Sequence, residues 1–126
     1  MTGILDQSVL AELANDIGDQ AARQFTDLYR AALGRRLDVL AFSAASGNAF
    51  ATYEAAAGLA SASAMVGATP LAQTAWAVAR DAMRNGTVPQ TETLQELKRL
   101  ARDTETALAR QPGDDDPDPP QAPSSR

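Results

Sequence analysis

The chain has 126 residues, 44% of them hydrophobic but only 5% aromatic, a formal net charge of −5, and neither cysteine nor histidine. That length suits one domain rather than two, and an alanine-rich, aromatic-poor composition suits closely packed helices better than a sandwich or barrel. The missing residue types exclude disulfides, thiolate and imidazole metal sites, the commonest general base and any phosphohistidine.

The charge is unevenly placed. Residues 1–111 hold 12 acids and 10 bases, whereas Asp114, Asp115, Asp116 and Asp118 face Arg126 alone. A near-neutral body offers no electrostatic footprint for nucleic acid or anionic lipid. No basic segment followed by an apolar run opens the chain, so no secretory signal is expected. The uncharged stretch between Glu54 and Arg80 has the length of a membrane span. Its Ala, Ser, Gly and Thr content, Gln73, and the break at Thr69-Pro70 instead predict two helices of a soluble, cytoplasmic protein.

In chain order, Asp6 caps a first short helix with Val9, Leu10, Leu13 and Ile17 at helical spacing, and Gly18 ends it. Asp19 caps a second, long helix whose apolar face carries Phe25, Leu28, Tyr29, Ala32, Leu33, Leu37, Leu40 and Ala41, running through Gly34 to a stop at Gly47-Asn48. A third helix spans about Ala49 to Val66 and stops at Gly67. Thr69 as cap with Pro70 at the first helical position starts a fourth, which carries Leu71, Ala75, Trp76, Val78, Ala79 and Met83 and ends at Asn85-Gly86. Thr91 starts the last, with Leu94, Leu97, Leu100, Ala101, Thr104 and Leu108 inward. The expected architecture is all-α: an antiparallel up-down four-helix bundle over residues 1–110 with a short extra N-terminal helix. Residues 111–126 hold no large apolar side chain and are expected to be a disordered, acidic, proline-rich tail.

The segment Ile4 to Leu13 with Ile17-Gly18-Asp19, and the segment Leu71 to Arg80 ending at Asn85-Gly86, resemble the opening and the fourth helix of histidine-phosphotransfer (Hpt) domains of bacterial phosphorelays. The resemblance covers roughly residues 4–110. The family's phosphoacceptor histidine is followed at the third position by Lys and at the fourth by Gly, before a Leu-Gly-Ala-like stop. Anchoring that stop on Val66-Gly67-Ala68 puts Ala57 at the acceptor position, Ala60 at the Lys and Ser61 at the Gly. Acceptor and cation are gone, and only the small residue survives. The resemblance thus implies a degenerate member, with phosphotransfer excluded.

At about 100° per residue, Phe50, Tyr53, Glu54, Ala60, Ser61 and Ala64 lie within about 60° of Ala57, while Thr52, Ala55, Leu59, Ser63 and Val66 lie opposite. If the family's exposed face is kept, these seven residues form a partner-binding surface. The alternative is that Phe50 and Tyr53 tuck into the core. Elsewhere, Ser61 and Ser63 lack a base and read as buried helix serines, and the only lysine, Lys98, is on another helix. Glu92 with Glu96, and Asp103 with Arg99 or Arg102, read as a salt-bridged solvent face. Arg23, Arg30, Arg35 and Arg36 form no phosphate loop, and rim an interface or a solvated face. Asp114 to Asp118 lacks the glycine and glutamate of an EF-hand. No catalytic residue, metal site or cofactor is expected. The resemblance implies a non-enzymatic adaptor or competitor whose partner is a response-regulator receiver domain or a histidine kinase. The alternative is a helical module that forms a homodimer through the third-helix face, without a phosphorelay role.

Overall fold

The computed structural model describes residues 3–111, so the tail expected from 111 onward lies, apart from Gln111, outside the described residues. Five helices follow in chain order: α1 Gln7–Ile17, α2 Asp19–Ala45, α3 Ala49–Met65, α4 Thr69–Asn85 and α5 Thr91–Ala109. Short turns join them, which makes sequence neighbours antiparallel. α2 packs on α3, α3 on α4, α4 on α5, and α5 back on α2, closing a four-helix ring; α1 lies outside it, mainly against α2. The all-α bundle with an extra N-terminal helix is therefore as the sequence predicts.

The helix ends show which local signals operate. Asp6 accepts from the Ser8 amide at 3.0 Å and caps α1. The hydrogen bond from the Ser8 hydroxyl, together with that from the Ser8 amide, holds the Asp6 pKa below its ordinary value. Asn48 does not close α2 as expected. It opens α3 by accepting from the Ala51 amide at 3.0 Å. Neither Asp19 nor Thr69 is a cap: each is already helical, preceded by Gly18 and Ala68, with no side-chain cap bond at either start. α2 runs unbroken through Gly34.

Leu33, Leu40, Leu59, Leu71, Leu97 and Leu108 fill the core between small residues, among them Ala56, Ala60, Ala75 and Ala79. One polar link crosses it: the Tyr29 and Ser63 hydroxyls lie 2.7 Å apart, joining α2 to α3. Burial pushes the Tyr29 phenol up to about 12, so it stays a neutral partner for Ser63. The apolar faces read from periodicity hold with exceptions. Leu28 is 70% exposed and Ile17 47%, because each falls on a flank that no neighbouring helix covers.

α1 is held by one turn. The Asp6 amide donates to the Gly67 carbonyl at 2.7 Å. Gly67 has φ +76°, and a Cβ there would come within 2.6 Å of the Asp6 carbonyl oxygen. Gly86 also has positive φ, +65°, but open space around it. Left-handed backbone alone costs a non-glycine residue about 1–2 kcal/mol. Gly86→Ala should therefore lower unfolding free energy in urea by about that much. Gly67→Ala should cost at least about 3 kcal/mol, since α1 must also move.

Candidate interaction surface

α3 is apolar or small on nearly every side, so its neighbours, not its own pattern, decide which face is open. The expected core face is buried: Thr52, Leu59, Ser63 and Val66 are each fully inaccessible, and Ala55 is half-buried. Of the seven residues expected to be open, Phe50, Glu54, Ser61 and Ala64 are exposed, Phe50 at 69%. Tyr53 and Ala57 are half-buried, packed against the core. Ala60 is a correction: it is fully buried in the core cluster. Gly58 and Met65, which the sequence reading left out, line the open side. The exposed arc is thus centred nearer Glu54 and Ser61 than Ala57, a rotation of about 40° at about 100° per residue. α4 causes it. Its Leu71, Ala75, Val78, Ala79 and Ala82 are buried, and a methyl at position 60 allows the close helix approach that a lysine would prevent.

On the other flank of the open arc, α2 supplies a cation. Nη1 of Arg36 lies 3.2 Å from where a Cβ on Gly58 would stand, so the guanidinium rests on the bare backbone beside Ala57. Its Nε is buried and has no hydrogen-bond partner. Arg35, Val39, Glu54 and Ala55 line the same cleft. Phe42, 74% exposed, and Val39, 48% exposed, extend the apolar surface along α2. Sequence reasoning left Arg35 and Arg36 as the rim of an interface or a solvated face. The overlooked signal was Gly58, a mid-helix glycine next to Ala57, which marks where a neighbour comes close.

Across α3, a groove of about 360 Å³ separates it from α4, lined by Tyr53, Trp76, Ala79, Arg80, Met83 and Arg84. Trp76 is 42% and Met83 62% exposed; the sequence reading names both among the apolar residues of this helix without assigning them a face. Neither Arg80 nor Arg84 has an ion-pair or hydrogen-bond partner among the described residues.

The remaining candidates carry no reaction chemistry. Ser63 is buried and bonded to Tyr29, whereas Ser61 is exposed and not a buried serine. On α5, Arg99 pairs with Glu96 at 2.7 Å and Asp103 at 3.2 Å, the solvated salt-bridge face expected. Glu96 is held below its usual pKa by its hydrogen bond to Arg99. Arg30 pairs with Glu105 at 3.0 Å across α2 and α5, beside a groove floored by Leu33, Leu37 and Ala101. Among the described residues no three metal-ligating side chains come together, and no helix is long and apolar enough to cross a membrane.

The architecture is that of the Hpt helical bundle. The chain is similar to the crystal structure of histidine-containing phosphotransfer protein B (HptB) from Pseudomonas aeruginosa PAO1, with a TM-score of 0.78 at 21% identity, over 87% of this chain and 95% of that one. At that identity the likeness establishes the fold. No protein-family model matches the chain, and neither does any curated protein.

The Arg36 contact on Gly58 involves the far end of a flexible side chain. Gly58→Ala should therefore move the guanidinium and leave the helix better off, raising unfolding free energy in urea by about 0.5–1 kcal/mol. A loss of stability would show that Arg36 is fixed in place.

Proposed function

We propose that this chain is a phosphotransfer-incompetent, Hpt-like adaptor of bacterial two-component signalling. It would bind a receiver domain or a histidine kinase through the open face of α3. One observation carries the reading: the whole sequence contains no histidine, while its resemblance to Hpt domains would put Ala57 at the phosphoacceptor position.

The chemistry follows from that position. Transfer from a receiver's acyl phosphate needs a nucleophilic nitrogen to attack phosphorus, and a nearby cation to hold the phosphoryl oxygens. The Ala57 methyl supplies no lone pair, and Ser61, though exposed, has no base to take its proton. Small side chains at 57 and 61 keep the surface flat enough for a partner to approach. A docked receiver would keep its phosphoryl group, and the adaptor would act by competition or scaffolding. Phe50 supplies apolar area that binding can bury, while Arg36 and Glu54 offer charged groups at the edge. The homodimer alternative would pair the stripe through Ala57, Ala60, Ser61 and Ala64, and it loses Ala60, which is buried in the core.

The test is calorimetric titration with a panel of isolated receiver and histidine-kinase domains, the receivers also after loading with radiolabelled acetyl phosphate. At least one domain should bind. Phe50→Ala should weaken that binding about 10-fold or more while leaving the urea midpoint nearly unchanged. No label should reach this chain. Label recovered on the chain, a panel with no binder, or undiminished binding by Phe50→Ala would each overturn the reading.

A further inference from the structure

We propose that the groove between α3 and α4 docks an acidic amphipathic helix of a separate protein. Its lining sorts into an apolar bed and a cationic edge. Ala79 is buried at the bottom, Trp76 and Met83 stand partly outside on α4, and Tyr53 supplies the α3 side. Trp76 is the chain's only tryptophan, and Tyr53 is its one accessible tyrosine, since Tyr29 is buried. Protein interfaces enrich Trp, Tyr, Met and Arg, and Trp, Tyr and Arg carry most of their binding energy. Here all four types converge on one cavity of about 360 Å³.

Charge decides the chemistry of the occupant. Arg80 and Arg84 have no ion-pair or hydrogen-bond partner among the described residues, and no acid lines the groove. The other arginine-lined clefts described each hold acids of their own: Glu54 in one, Asp38 and Glu105 in another, Asp19 in a third. Asp81 follows Arg80 in sequence and is exposed, but it is not part of the lining. Spacing decides the form of the occupant. Trp76, Arg80 and Arg84 recur every four residues, so the lining runs about 12 Å along α4, just over two turns. A helix laid along that stripe presents side chains at the same period. Carboxylates three or four residues apart on it can each take one guanidinium fork. No strand occurs among the described residues, so no sheet edge invites an extended peptide. A second copy paired across the groove by two-fold symmetry would set Arg80 and Arg84 against their own equivalents. Two cations on a near-neutral body do not make a surface for nucleic acid or anionic lipid.

The probe is a displayed library of helix-forming peptides about four turns long, randomised along one face and selected on the full chain at low salt. Clones that also bind Trp76→Ala, its urea midpoint checked, are removed, so the remainder depend on the groove. These clones should carry Asp or Glu at positions three or four apart beside Leu, Phe or Met. Made as synthetic peptides, they should shift the Trp76 emission to the blue. They should bind Arg80→Gln with Arg84→Gln about 10-fold or more weakly, and weaken similarly at about 0.5 M NaCl. Both arginines are exposed, so this second variant should keep the native urea midpoint. A selection with no Trp76-dependent clone, clones without acid enrichment, or undiminished binding to the double variant would each overturn the proposal. In the free chain, Trp76 emission should not change with protein concentration. A blue shift that grows with concentration would give the groove to a second copy and overturn the proposal too. No receiver or kinase domain enters the selection, so its outcome is independent of the adaptor reading.

Discussion

The close approach of α3 to α4 is the constraint on which the rest of the structure depends. These two helices share the most extensive contact in the bundle, and the buried residues on both are mostly small: Ala56, Ala60 and Ser63 on α3, and Leu71, Ala72, Ala75, Val78, Ala79 and Ala82 on α4. Small side chains let backbones come close, and close backbones fix rotation, since a turn of either helix would drive a larger residue into the seam. With α3 seated this way, Leu59 and Val66 point into the core and Ser63 meets the Tyr29 hydroxyl. The tight turn at Gly67 then brings α1 against the bundle by a backbone bond to Asp6.

The same seating defines both surfaces. On the α2 side, the open arc of α3 meets Arg36, whose guanidinium occupies the space left by the missing side chain of Gly58. Toward α4, the buried seam leaves a groove whose large residues, Trp76 and Met83, stand half outside. Position 60, where the resemblance would put a lysine, is a buried alanine, and the positive charge on that flank comes from Arg36 of α2. The result is a face with an aliphatic and aromatic surface and charged edges.

Element order was legible because each boundary carries a residue with a backbone reason. Gly18, Gly67 and Gly86 sit at positive φ at or beyond helix ends, and Pro70 lies in the first turn of α4. The α5 face was legible because leucines recur on one side among charges. α3 was not. Alanine, serine and glycine occur all round it, so the pattern gives no direction, and a single leucine and valine cannot fix a rotation to within a residue. Placing Ala60 on the open face was an error of that kind. Trp76 and Met83 could not be given a face from periodicity alone, and the structure leaves both outside an α4 core stripe that is complete with Leu71, Ala75, Val78 and Ala82. The charges on α2 were read along one helix, and their meaning depends on what lies across from Gly58.

Because the sequence has no cysteine, the seating of α3 can be read one position at a time by thiol reactivity. Ala57→Cys, Ala60→Cys, Ser61→Cys and Ala64→Cys, made singly in the full chain, would be labelled with a maleimide under native conditions and again in denaturant. The account predicts fast native labelling at 61 and 64, slower labelling at 57, and labelling at 60 only on unfolding. Fast native reaction at 60 with protection at 61 would contradict it.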